Sequence, residues 1–292
     1  MHQATRIALY LCTACALGAA ACDDGAKRNG DVDAGDDAAT DAELDGGVDA
    51  TYDASTGDAE VDGGIDLSTE SACCVGIVDI PADPLRVGYV GLDSGRVLPG
   101  PPVNGDVSGG ATSAGVVGST LYLCEDDGEE GHVVSISLST GAASTLLATC
   151  TAVTTDGSRI LVLANDGKIR AYANEVALGA GTASATYTLT GLVSRIAATP
   201  TELLTSWHAT DRIARGAFAS TSADVVLQDF DDVVFGLDLL ADERLVIVRG
   251  TSDGIALFSG ATGAHLASVT PAGGAVFQGV ACGTGPAYCP AP

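Results

Sequence analysis

Side chains that could bind or process a ligand follow short apolar runs in the C-terminal three quarters of the chain. Five of them form the predicted binding set: Trp207, His208, Asp211, Asp126 and Asp127. The single tryptophan of the chain, beside a histidine, can supply a stacking platform for a sugar or a peptide. Two carboxylates brought close together could instead hydrolyse a glycosidic bond. Motifs for metalloprotease, serine-hydrolase and phosphate-loop chemistry do not occur, so we expect a non-catalytic binding protein, with a carboxylate-dependent hydrolase as the alternative.

Cysteines form a second group of residues that could do chemistry, as disulfides or as metal ligands. Six of them lie beyond residue 71: Cys73, Cys74, Cys124, Cys150, Cys282 and Cys289. An even number predicts disulfides if the domain is exported to an oxidising compartment, although six cysteines allow fifteen pairings. A zinc site is the alternative, but the spacing lacks paired C-x-x-C units, and we expect no metal.

Four apolar runs recur at nearly constant spacing and must position these residues. They are Leu121–Cys124, Ile160–Leu163, Leu203–Ser206 and Leu245–Val248, whose first residues are 39, 43 and 42 positions apart. This is the spacing of a propeller blade of four strands. Turn motifs follow the same repeat, as in Asp156-Gly157, Ser139-Thr-Gly141 and Ala261-Thr-Gly263. From about residue 73 to the C-terminus the chain resembles WD-repeat-like bacterial propellers, which implies an all-β domain with little helix.

The two ends of the repeat region each hold part of one further blade. Val75–Val78 and Val87–Val90 resemble two of its strands, and Ala275–Ala281 resembles its inner strand. Pairing these segments would close the ring and remove exposed sheet edges. We therefore expect a β-propeller of five four-stranded blades, with six blades or a β-sandwich as alternatives.

The blade arrangement predicts where the cysteines and the binding set lie on the ring. Cys124 ends a second strand and Cys150 ends a fourth strand, so both should reach the same face of the ring. Cys282 should lie beside Cys73 or Cys74, and Cys289 should bond to whichever of the two is left. The loops after second and fourth strands share one face, which would collect the predicted binding set.

The N-terminus has the pattern of a secretory signal. A weakly positive start precedes an apolar run from Ile7 to Ala21, which is too short for a stable membrane span. Leu17–Cys22 resembles the lipobox of bacterial lipoproteins, which implies removal of residues 1–21 and lipidation of Cys22, although Ala19 occupies the position where leucine is usual. The alternative is ordinary cleavage after Ala21 and release as a free periplasmic or secreted protein.

Residues 22–70 have the composition of a disordered acidic linker. From Asp23 to Glu70 there are sixteen acidic and two basic residues and few large apolar ones, so burial cannot offset the entropy of ordering. The repeats Asp41–Asp49 and Asp58–Asp66 resemble the first half of calcium loops, but the twelfth position counted from Asp58 is Thr69 rather than glutamate. A solvated spacer is therefore expected, with calcium binding as the alternative and no other cofactor.

The charge balance restricts the class of partner. A formal net charge of −25 and the absence of a basic stripe argue against nucleic acid. The expected protein is a monomer in the cell envelope, held at the inner or outer membrane through its lipid alone. Its folded domain spans residues 71–292, and its expected partner is an envelope protein or a glycan.

Overall fold

The computed structural model describes residues 65–79, 84–105, 107, 111–125, 131–189, 193–207, 212–218, 224–227, 234–249 and 254–291. They form an all-β domain of five four-stranded antiparallel sheets, arranged as the blades of a β-propeller. The predicted fold class and blade number are therefore confirmed. The leader, Cys22 and the acidic repeats lie outside the described residues, apart from Ile65 and Asp66 at the end of the second repeat.

Each blade is named by its order along the chain, and its strands run from the central axis outward. Blade 1 consists of β20 (Val276–Gly283), β1 (Cys73–Asp79), β2 (Arg86–Gly91) and β3 (Val97–Pro102). Blade 2 consists of β4 (Ala111–Val117), β5 (Thr120–Glu125), β6 (His132–Ser137) and β7 (Ala143–Thr149). Blade 3 consists of β8 (Ala152–Thr155), β9 (Ile160–Leu163), β10 (Lys168–Tyr172) and β11 (Ala185–Thr188). Blade 4 consists of β12 (Val193–Ala198), β13 (Glu202–Trp207), β14 (Arg212–Ala217) and β15 (Asp224–Leu227). Blade 5 consists of β16 (Val234–Leu239), β17 (Arg244–Arg249), β18 (Ile255–Ser259) and β19 (His265–Val269).

Helix is scarce in the described part of the chain. A short helix, α1 (Glu175–Gly179), lies between β10 and β11, and a 3-10 turn spans Ala272–Gly274. Asn174 caps α1, because its side-chain oxygen accepts a hydrogen bond from the Ala177 amide at 2.9 Å. Among the described residues, no helix combines the length and the apolar character needed to cross a membrane.

Ring closure uses both ends of the domain, as the sequence predicts. β20 pairs antiparallel with β1, with Cys74 opposite Cys282 and Val75 opposite Ala281. Except for Asp79, every residue of β1 is buried, because this strand lies between two neighbours in its own sheet and between two flanking blades. Pairing the terminal strands therefore covers backbone groups that would otherwise form an open edge.

The apolar runs of the repeat are the second strands of four blades. Every residue of β9 is buried, and so are the four apolar residues at the centre of β17. A strand covered on both faces reads as a continuous apolar run rather than as an alternating one. The inner strands instead carry small residues where they converge. A methyl group on Gly115 of β4 would lie 2.5 Å from the Thr155 amide nitrogen of the next blade.

The Thr-Gly turns of the sequence pack one blade against the preceding one. Gly141 and Gly263 lie between the third and fourth strands of blades 2 and 5, with φ of 70° and 69°. A β-carbon at either position would collide with a backbone carbonyl of the preceding blade, Pro102 or Val226. Glycine is required there both for the left-handed backbone and for the close approach.

Ion pairs and hydrogen bonds also connect neighbouring blades. Arg215 of β14 bonds to Glu202 in its own blade and to Glu243 in the β16–β17 turn of the next blade. Hydrogen bonds to Glu243 and then Glu202 raise the pKa of Arg215, so the guanidinium stays charged. Glu243 has a φ of 70°, which is unusual for a residue with a side chain. Nearer the axis, the Val153 amide donates to Ser113 Oγ at 2.7 Å.

The folded domain begins earlier than the sequence predicts. The composition predicts a linker that continues through residue 70, yet the Leu67 side chain is completely buried. The Glu70 carboxylate accepts hydrogen bonds from the Asp93 and Ser94 amides, at 2.9 and 3.2 Å. The average composition of the linker does not distinguish these residues from the rest. One buried leucine and one carboxylate are enough to attach them to the domain and to the β2–β3 turn.

Candidate binding surface

The ring has two faces, which the strand directions define. We call the terminal face the one at which β20 ends and β1 begins, with residues 65–72 and 284–291 beside it. We call the distal face the opposite one, at which the second strands β5, β9, β13 and β17 end. Both faces follow from the antiparallel order of strands in each blade.

The predicted binding set belongs to the distal face by its position in the chain. Trp207 is the last residue of β13, and its backbone pairs with Val193 and Arg212. Its side chain lies outside the described part of the structure, and so do the four other members, His208, Asp211, Asp126 and Asp127. That the five side chains converge stays a prediction.

One disulfide lies at the distal face. Cys124, the second-last residue of β5, bonds to Cys150, which follows β7. The two cysteines therefore meet on the same face, as the blade arrangement requires. The Cys150 amide also donates to the Gly131 carbonyl at 2.7 Å. Together these bonds fix both ends of the connection from β5 to β6, which contains Asp126 and Asp127.

Two disulfides lie at the terminal face and join the chain ends of the domain. Cys74 bonds to Cys282, and Cys73 bonds to Cys289. The prediction of disulfides is confirmed, and the choice that the sequence left open for Cys282 is settled in favour of Cys74. Strand register decides this choice, since Cys74 and Cys282 are directly opposite each other in the β1–β20 pair.

Several described carboxylates already serve structural contacts. Asp156 is buried and forms an ion pair with Arg159 at 2.6 Å. Burial raises the pKa of Asp156, but hydrogen bonds from Arg159 and Ser158 outweigh it and lower the pKa overall. Buried Glu125, at the end of β5, lies 3.8 Å from the His132 ring. Both carboxylates are engaged in contacts within their own blades.

The repeat is interrupted in blade 3, and a cleft lies at that point. Where blades 2 and 5 have a short Thr-Gly turn, residues 173–184 form a longer connection that contains α1 and packs against β7 of blade 2. The cleft has a volume of about 310 Å³ and runs along the boundary between blades 2 and 3. Its lining consists of Thr149, Val162, Ala164, Arg170, Tyr172, Leu178, Gly179 and Gly181.

The cleft offers aromatic and aliphatic walls and one cation. Arg170 is held by Asp166, with Nη2 and Oδ2 2.6 Å apart, and this hydrogen bond lowers the pKa of Asp166. Such a lining can hold a small ligand by packing, but its described side chains supply no nucleophile with an adjacent base. Sequence reasoning missed the cleft. The sequence signal for the cleft was a difference in length. The connection between the third and fourth strands of blade 3 is longer than the corresponding connection of blade 2, residues 138–142.

A metal centre has no support among the residues that the structure describes. No group of three or more histidine, cysteine, aspartate or glutamate side chains is arranged there to hold an ion. All six cysteines of the domain are engaged in disulfides.

The chain aligns with solved structures of other proteins at low sequence identity. No protein-family model matches the chain, and no curated protein matches it. The structure of a nidogen/laminin complex aligns at 12% identity over 72% of this chain and 98% of that chain, with a TM-score of 0.48. YCF48 bound to D1 peptide aligns at 12% identity over 71% and 70%, with a TM-score of 0.34. Glutaminyl cyclase from Myxococcus xanthus aligns at 16% identity over 56% and 72%, with a TM-score of 0.43.

Proposed function

We propose that this protein is an exported, lipid-anchored propeller that binds an envelope protein or a glycan with its distal face and catalyses no reaction. The observation that carries the proposal is the position of the chain's attachment. Residues 65–72 join the ring at the terminal face, at the start of β1, whereas Trp207 ends β13 on the opposite side. A domain tethered at one face presents the other face to its surroundings.

The disulfides support export. Three disulfides in one domain form and persist in the periplasm or outside the cell, because the cytosol keeps thiols reduced. Cys22 at the end of an apolar leader supplies the anchor, and the acidic segment that follows it keeps the domain at a distance from the membrane.

Position-specific cross-linking tests the binding face. We expect a photo-reactive residue at position 207 to give a defined adduct with an envelope component in living cells. The matched control is position 176 in α1, on the side of the terminal face, where Val176 is 81% exposed. Identical adducts from both positions, or none from either together with no binding on a glycan panel, would contradict the proposal.

Truncation at the same position measures the contribution of the indole. If Trp207 is the aromatic anchor of the interface, Trp207→Ala should weaken binding to the captured partner by about thirtyfold or more. Val176→Ala should leave the affinity unchanged. An equal loss in both variants would indicate unfolding rather than a lost contact.

Intact mass of the native protein tests the anchor separately. We expect a mature chain that starts at Cys22, carries acyl groups, and lacks the six hydrogens removed by three disulfides. A chain that starts at Cys22 without added lipid would establish the secreted alternative and leave the binding face untouched.

A further inference from the structure

The residues before the start of β1 are attached to the folded domain through several contacts. Leu67 is buried, and its amide donates to the Pro290 carbonyl at 3.4 Å. Two carboxylates join this segment to the β2–β3 turn. The Glu70 carboxylate accepts a hydrogen bond from the Asp93 amide at 2.9 Å, and the Asp93 carboxylate accepts one from the Ser71 amide at 2.6 Å. The segment that enters the domain is therefore held at several points before the first strand begins.

Blade 5 also contributes to this attachment. Arg244, at the start of β17, donates to Ser71 Oγ at 3.2 Å and lies 4.0 Å from the Asp93 carboxylate. A pull on residues 65–72 is therefore shared between blade 1, which contains the β2–β3 turn, and the neighbouring blade 5.

Two adjacent cysteines directly follow residues 65–72, and each is cross-linked to a different part of the C-terminal segment. Cys73 bonds to Cys289 in the tail, and Cys74 bonds to Cys282 in the closing strand β20. Either disulfide alone would close the ring covalently. After one is formed, the second closes only the short remaining loop, and by loop entropy it adds about half as much stability as the first.

The geometry of β1 determines how tension would act on it. β1 lies inside its sheet, hydrogen-bonded to β20 on one side and to β2 on the other. Its first residue faces the incoming chain, so tension is directed along the strand. Ladder hydrogen bonds run perpendicular to antiparallel strands, so all of them are loaded together instead of being opened one at a time.

We infer that the terminal face transmits mechanical force, and that Cys73–Cys289 and Cys74–Cys282 pass tension from the acidic linker into the closed ring without opening it. This inference rests on the proposed tether. Tension on the linker reaches Cys73 and Cys74 first, and both disulfides transfer it to the C-terminal segment, so β1 cannot slide out of blade 1. The protein could then hold a partner at its distal face while the membrane and the partner move apart.

Single-molecule pulling on the full mature chain tests the inference. One handle is attached at the N-terminus and the other at exposed Asn165, in the β9–β10 turn of the distal face. In the oxidised protein, the first step at which the folded domain opens should release only residues 65–72, about 3 nm. After folding in the oxidised state and subsequent reduction, a further early step of about 10 nm should appear as residues 73–102 are drawn out.

Two sets of variants identify which disulfides matter. The fourfold variant Cys73→Ser, Cys74→Ser, Cys282→Ser and Cys289→Ser should show the 10 nm step without reductant, and reduction of the wild type replaces it if this variant does not fold. The control Cys124→Ser with Cys150→Ser removes a disulfide that does not join the two ends of the domain, so its first step should match that of the oxidised wild type.

Equal first steps in oxidised and reduced protein would overturn the inference. A long first step in the oxidised Cys124→Ser and Cys150→Ser control would overturn it too. The measurement needs neither lipid nor partner, so its outcome is independent of whether Cys22 is acylated or the distal face binds anything.

Discussion

Replacing Asp238 by asparagine should remove a dependence of stability on pH that the ring closure creates. Asp238 lies in the inner strand β16, and its carboxylate accepts hydrogen bonds from the Cys282 amide of β20 at 2.6 Å and from the Leu239 amide at 2.8 Å. It therefore links blade 5 to the strand that closes the ring. Tyr288 in the C-terminal tail is close enough for the Asp238 charge to raise the Tyr288 pKa further, beyond the larger effect of burial.

Burial raises the pKa of Asp238 from 3.8 to about 7, against the two backbone donors, which lower it. Because the folded state holds this proton more tightly than the unfolded state, the contribution is complete below pH 3.8 and is lost as the pH rises through 7. The full difference corresponds to about 4 kcal/mol. The residue keeps partial exposure, and solvent screens part of the charge, so we expect a loss of about 2 kcal/mol between pH 5 and pH 8.

Denaturant unfolding of the wild type and of Asp238→Asn at pH 5, 6, 7 and 8 measures this loss. The wild type should become less stable relative to the variant as the pH rises, because asparagine keeps an acceptor and carries no charge. Taking the difference between the two proteins cancels other titrating groups. A relative stability that is constant with pH, or that changes in the opposite direction, would refute the reasoning and show that the two amide donors outweigh burial.

Two further substitutions test contacts between blades. Arg215→Ala should lower the free energy of unfolding by about 1 to 3 kcal/mol, because the guanidinium is 17% exposed and joins two blades. The control Arg170→Ala breaks an exposed ion pair within one blade and should leave the melting temperature unchanged. Gly115→Ala should cost about 3 kcal/mol or more, or prevent folding, since its methyl group would meet backbone of the next blade, whereas Gly179→Ala has open space and should be tolerated in thermal melts.

Much of the fold could be predicted because each blade repeats one physical solution. A second strand enclosed on both faces must be a continuous apolar run, and the Thr-Gly turn must have glycine where a carbonyl of the preceding blade approaches. These requirements recur at Leu121–Cys124 and Leu245–Val248, and at Gly141 and Gly263, so a single sequence displays them. The pairing of Cys74 with Cys282 needed strand register in addition, which spacing alone does not provide.

The parts that sequence reasoning missed depend on single side chains rather than on a repeated pattern. The attachment of residues 65–70 follows from Leu67 and Glu70, within a segment whose average composition indicates disorder. The cleft between blades 2 and 3 follows from α1, an insertion whose packing partner β7 lies in another blade. Asp238 appears as an isolated acid in an apolar strand, and only its hydrogen bond to Cys282 relates it to ring closure.

The contacts of the two faces indicate that the attachment of the chain and the loops of the distal face can change independently. At the terminal face, Glu70 accepts a hydrogen bond from the Asp93 amide, and Arg244 lies 4.0 Å from the Asp93 carboxylate, so replacing Glu70 or Arg244 removes a partner of Asp93. At the distal face, the Cys124–Cys150 disulfide and the hydrogen bond from the Cys150 amide to the Gly131 carbonyl hold the two ends of the connection from β5 to β6. A propeller of this kind can acquire new distal loops without weakening its attachment, because the bonds that close the ring lie on the other side.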